Sequence, residues 1–188
     1  MKRIQIGAVL LGLAFITGCG STVAPSPTYL CVPEPGGDAV PCDATEFETA
    51  QRRDALYAEA ESVYRRYWAE VGRIRLTAEP TMSAELEATT EGPFRESVEV
   101  LLGQLQGAQL ISGETPVSWV KRLPGSSRQG SVVALEVCSD ARGALFANPD
   151  GGAPRPGRAY QQRLYFGRGG EEASLRIMDS EFMRVESC

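Results

Sequence analysis

Five cysteines, Cys19, Cys31, Cys42, Cys138 and Cys188, are the most reactive side chains of this 188-residue sequence, and it contains no histidine to work beside them. Without histidine there is no Ser-His or Cys-His nucleophilic pair, and the usual imidazole ligands of zinc are missing. The side chain that ordinarily titrates between about pH 5 and 8 is missing as well. No CxxC redox spacing occurs. Acid–base material is limited to Asp140 and Asp179 with Tyr64, Tyr67 or Tyr160, and no motif ties these together. Asp140 is expected to end a strand and Asp179 to face water. Glu85, Glu87 and the Glu171-Glu172 pair read as solvated surface. Gly167-Arg168-Gly169-Gly170 lacks the spacing and the following helix of a phosphate loop, and no EF-hand spacing is present. The expectation is a chain with no catalytic residue, no metal site and no cofactor.

The N-terminus decides which chemistry the cysteines meet. Met1-Lys2-Arg3 is a short basic segment, and residues 4–16 are almost wholly apolar. Thirteen residues are too few to span a bilayer core, which takes about 20 in a helix. They suit the apolar region of a signal peptide. The run closes on Ile16-Thr17-Gly18-Cys19, apolar–small–small–Cys. This resembles a bacterial lipoprotein box at all four positions. The resemblance implies cleavage after residue 18, diacylation of Cys19, and anchoring on the extracytoplasmic face of the cell membrane. Two acyl chains hold stably where one is marginal. Residues 19–28 then form a Pro/Ser-rich tether. At about 3.1 Å per residue it would let a domain at 29–188 stand roughly 25–30 Å from the anchor.

An exported chain meets an oxidising environment, and four cysteines remain after Cys19, an even number that suggests disulfides. Three pairings are possible. Cys31–Cys42 with Cys138–Cys188 is favoured. The first closes the loop Val32-Pro33-Glu34-Pro35-Gly36-Gly37, which has little else to hold it, and the second staples the last residue to a strand. Removing Lys2 and Arg3 with the signal peptide leaves 17 basic against 24 acidic residues. That acidic balance argues against nucleic acid and against electrostatic docking on anionic lipid. The 170 remaining residues are enough for one domain with its own core.

The elements that must position these groups are legible in order. Asp43-Ala44-Thr45-Glu46 reads as a capping box. It opens a long helix to about residue 74, whose apolar stripe is Leu56, Ala60, Val63, Tyr64, Tyr67, Val71 and Ile74. Pro80 breaks it. A short turn near residues 84–88 precedes a helix opened by Gly92-Pro93 and running to about residue 106, with Val98, Leu101, Leu102 and Leu105 buried. Strands follow near residues 109–111, 115–123, 131–139, 145–147, 158–168 and 173–183. In the second, Val117, Trp119, Lys121 and Leu123 are expected on one face. In the third, Val133, Leu135 and Val137 face one way and Cys138 the other. In the last, Leu175 and Ile177 point inward. Helices first and then a meander of five or six antiparallel strands is an α+β layout, with a curved sheet wrapped on the long helix.

Several pieces together resemble a group of exported actinobacterial lipoproteins with a nuclear transport factor 2-like, cystatin-like cone. They are Cys31-Val32-Pro33-Glu34 with Pro41-Cys42, Ala60-Glu61-Ser62-Val63-Tyr64-Arg65-Arg66-Tyr67-Trp68, Leu135-Glu136-Val137-Cys138-Ser139-Asp140, and Asp179-Ser180-Glu181-Phe182 with Val185-Glu186-Ser187-Cys188. That group carries an aromatic residue at the start of the last strand, where this chain has Leu175. The resemblance implies a cone fold and a lipid-anchored address. The function expected is a non-enzymatic interaction or assembly module of the cell envelope, with an envelope protein as partner. The alternative is a binder of a small apolar ligand in the cone, lined by Tyr64, Tyr67, Trp68, Trp119 and Tyr160; for the helix aromatics, core packing is the competing role.

Overall fold

A computed structural model describes residues 28–33, 37–128, 130–169 and 174–188. The expected signal peptide, Cys19, all of the tether but Thr28, and Glu171-Glu172 lie outside them. Among the described residues, no helix is long and apolar enough to cross a membrane.

The first helix, α1, spans Ala44–Thr77, and its capping box is formed on both sides. The Asp43 carboxylate accepts from the Glu46 N–H at 2.8 Å, and the Glu46 carboxylate accepts from the Asp43 N–H at 3.0 Å. Two of the helix's orphan donors are thereby satisfied. One face buries Tyr57, Ala60, Val63, Tyr64, Tyr67, Val71 and Ile74, with Leu56 packed beside them. The short helix α2, Ala84–Thr89, starts on the Ser83 hydroxyl. Helix α3, Gly92–Leu105, has Pro93 in its first turn, where no N–H is needed, and buries Phe94, Val98 and Leu102.

Nine strands accompany the helices among the described residues: β1 (Tyr29–Cys31), β2 (Val40–Cys42), β3 (Leu110–Ser112), β4 (Val117–Arg122), β5 (Ser131–Asp140), β6 (Leu145–Phe146), β7 (Arg155–Pro156), β8 (Ala159–Gly167) and β9 (Arg176–Val185). The fold is α+β with antiparallel sheets. The expected single meander is corrected in one respect. The main sheet is β4-β5-β8-β9, while β3, β6 and β7 form a separate small sheet and β1-β2 a third. The segment between β5 and β8 is rich in Gly and Pro, and it folds back on β3 instead of adding strands to the main sheet. Gly157 permits that return, because a Cβ there would run into the Ala141 carbonyl.

The core lies between α1, α3 and one face of the main sheet. That face carries Val133, Leu135 and Val137 from β5, Leu164 and Phe166 from β8, and Ile177 from β9, all buried, with Leu175 just ahead of β9. Burying a side chain of this kind stabilises by about 1.5–3 kcal/mol relative to exposure. The opposite face carries a row of alternating charge in register: Lys121, Glu136, Arg163 and Glu181. Arg163 pairs with Glu136 at 3.1 Å and approaches Glu181 at 3.6 Å.

The strand expected over 115–123 does not keep one alternation. A bulge between Val117 and Trp119 inserts an extra residue opposite Ser139 and Cys138. Val117 and Val120 therefore pack on the core, and Trp119 and Lys121 stand on the outer face. A one-residue slip exchanges the faces of every residue beyond it.

Both favoured cysteine pairs are formed. Cys31–Cys42 joins β1 to β2, and Cys138–Cys188 ties the last residue to the middle of β5.

Candidate functional site

Three positions on α1 share a face although they are far apart in sequence. Tyr64, Trp68 and Arg75 lie at i, i+4 and i+11, and eleven residues make about three turns. Side chains on a helix lean toward its N-terminus, so Arg75 reaches back along the axis. Its guanidinium carbon stands 5.3 Å from the Trp68 ring centroid and 5.8 Å from that of Phe146 on β6. The Tyr64 and Trp68 rings are 6.2 Å apart. The Trp68 indole is held by donation to the Thr115 carbonyl at 2.8 Å. Tyr67 sits edge-on to Phe94 of α3 at 5.3 Å.

The main sheet contributes from its core face. Tyr160 of β8 and Phe182 of β9 have ring centroids 4.8 Å apart, and the register puts them on the same face as Leu164. There the core runs out: Phe182 is 55% exposed. Burial pushes the Arg75 pKa below the ordinary arginine value, opposed by the field of Tyr67, Tyr160 and Tyr64. No carboxylate is among the groups that act on it.

Four of the five aromatic residues expected to line a pocket, Tyr64, Tyr67, Trp68 and Tyr160, thus converge around Arg75. The fifth does not. Trp119 is carried by the β4 bulge to the outer face, where Lys121 lies 4.4 Å over its ring. Arg75 itself was not singled out by the apolar stripe. The available signal was its spacing, four residues after Val71 and eleven after Tyr64, which places a cation on an otherwise apolar face.

Tyr64 and Arg75 share a second property. The Tyr64 hydroxyl and the Arg75 Nε are buried without a hydrogen-bond partner. The other buried orphan atoms belong to residues that have a partner: Glu85 Oε1 faces Arg66 at 3.3 Å, and Glu91 Oε2 faces Arg176 at 3.9 Å. Arg95 likewise donates to the Glu87 carbonyl. Tyr64 is fully buried, and burial with the neighbouring Tyr67 holds its hydroxyl protonated well above the usual phenol range.

The two aspartates considered as bases are both engaged. Arg142 hydrogen-bonds Asp140 through its side chain and its backbone N–H, which pulls the carboxyl down to about 2. Asp140 is the last residue of β5, and Asp179 pairs with Arg128 at 2.6 Å. Glu70 and Glu181 are also shifted downward, chiefly by hydrogen bonds from Arg73 and Arg128. All three of these shifts, at Asp140, Glu70 and Glu181, favour the ionised carboxylate. Among the described residues no group of three acidic or cysteine side chains is placed to hold a metal ion. An open cleft of about 600 Å³ between α1 and β4 is lined by Tyr57, Glu61, Val120, Lys121, Arg122 and Leu135, away from Arg75.

No protein-family model matches this chain, and no curated protein matches it. Among solved structures it is similar to the intermembrane space region of chloroplast protein ARC6, at 14% identity and a TM-score of 0.37, over 67% of this chain and 95% of that one. A score that low supports no argument about fold or function.

Proposed function

We propose that this chain is a lipoprotein anchored through Cys19 to the extracytoplasmic face of the cell membrane. Its domain, read as a nuclear transport factor 2-like cone, works without catalysis as an interaction or assembly module of the envelope. The lipobox supports the address, and two cysteine pairs at bonding distance fit an oxidising compartment. The observation that carries the non-catalytic reading is the filled interior. Tyr64, Leu164, Phe166 and Ile177, all fully buried, occupy the space between α1 and the sheet. A substrate would have to displace them. Large apolar groups stand instead on the surface, Leu30, Val32 and Val40 among them on the disulfide-closed β1-β2 hairpin.

The test is native mass spectrometry on protein crosslinked in its own envelope and extracted gently, beside the denatured mass. A partner of protein size in fixed stoichiometry is expected; a bare monomer after crosslinking overturns the assembly reading. Replacing the lipidation site, Cys19→Ala, should release the protein from the membrane or leave it unprocessed. Persistence of the same lipidated, membrane-bound form overturns the anchor.

A further inference from the structure

We propose that Arg75 anchors a binding site for a small carboxylate with an aromatic or apolar body, seated where the core opens between the C-terminal half of α1 and the Tyr160–Phe182 pair. This site is independent of the anchoring and assembly reading.

The Arg75 side chain has no hydrogen bond and no ion pair among the described residues, and its Nε is buried although the residue as a whole is half-buried. That sets it apart from Arg158 and Arg184, whose side chains make none either but stand exposed to water. A guanidinium stays protonated, so burial cannot neutralise it. It presents five donors in a planar fork, and the faces of Trp68 and Phe146 offer it no acceptor. A carboxylate supplies two acceptors in the matching geometry and the missing countercharge. The surroundings select what else the ligand carries. Trp68, Phe146, Tyr160 and Phe182 are aromatic. Inorganic anions would satisfy the charge and leave the aromatic surface unused. Neutral apolar molecules would cover the rings and leave the guanidinium unpaired.

The experiment uses full-length protein carrying Trp119→Phe, so that Trp68 is the sole remaining tryptophan of two. Para-bromobenzoate is titrated as a heavy-atom quencher, beside para-bromobenzyl alcohol, and inorganic phosphate is added as a competitor of the acid. Saturable quenching is expected with the acid and none with the alcohol, and equimolar phosphate should not reverse the quenching by the acid. Arg75→Gln should weaken the acid's binding by roughly ten- to a hundredfold, the weight of a charge-assisted hydrogen bond. Arg75→Lys should fall between, because it keeps the charge and loses the fork. Quenching that rises linearly without saturation overturns the site. So does equal quenching by acid and alcohol, or an undiminished affinity in Arg75→Gln. If circular dichroism shows that Arg75→Gln does not fold, the contrast between acid and alcohol on the Trp119→Phe protein decides the question.

Discussion

The indole N–H of Trp119 donates to the backbone carbonyl of Cys188 over 3.2 Å, and the disulfide of the same Cys188 reaches Cys138, the residue paired with Trp119 across the sheet. The last residue of the chain is therefore held twice, by two neighbours on adjacent strands. The bulge in β4 makes this possible, because it turns Trp119 to the face from which Cys138 projects.

Opening this closure should cost more than opening the N-terminal one. Cys138 and Cys188 are 50 residues apart and Cys31 and Cys42 only 11. Each bond should contribute about 2–4 kcal/mol, and chain entropy makes the longer closure roughly 1 kcal/mol the stronger. Urea denaturation of Cys188→Ser and Cys42→Ser should show the lower midpoint for Cys188→Ser. The reverse order would mean that closure entropy does not set the ranking.

Glu59 joins α1 to the far end of the main sheet. One carboxylate oxygen accepts from the Leu175 N–H at 2.9 Å, and the other pairs with Arg168. Leu175 is fully buried, so its N–H loses its acceptor if the carboxylate is removed. Glu59→Ala should destabilise by about 1–3 kcal/mol, and Glu59→Gln, which keeps an acceptor, by less. Equal losses in the two variants, compared by urea midpoint, would show that the backbone hydrogen bond contributes nothing.

Alkaline pH should unfold the protein through its buried phenols. Burial pushes Tyr67 from 10.0 up to about 12. It pushes Tyr64 higher still and raises Tyr57 against the opposing charges of Arg122 and Arg53. These groups hold protons in the folded state that the unfolded chain gives up above pH 10. Their stabilisation is fully present below that pH and is lost as pH rises through the folded-state values. Tyrosinate absorbance from these three should appear together with loss of the near-ultraviolet circular dichroism. Ionisation of all six tyrosines near pH 10 with the native spectrum intact would contradict the burial of Tyr57, Tyr64 and Tyr67.

Much of the architecture was legible because its signals are local. A capping box is four adjacent residues, and Asp43 with Glu46 opens α1 where the pattern puts it. The three- and four-residue spacing from Leu56 to Ile74 names the buried face of α1. The alternation of β5 assigns Leu135 and Val137 to one face and Cys138 to the other. The two-residue strand β7 escaped notice because Arg155-Pro156 has no strand pattern; only pairing with β6 makes it one. The face of Trp119 escaped because a bulge is a mismatch between two strands, and no single strand's pattern contains it.

The order of residues by itself determined the helices, their caps, most of the strands and an absence of histidine that removes whole classes of chemistry. Each of these depends on neighbours within a turn or two of chain. Only the tertiary structure decided that Tyr160 would come to Arg75 while Trp119 would not, and that an arginine on the apolar face of α1 would meet aromatic rings and no carboxylate. The physical reason is distance along the chain. The charge that an arginine meets is set by strands brought to it from tens of residues away, and helical spacing carries no record of them.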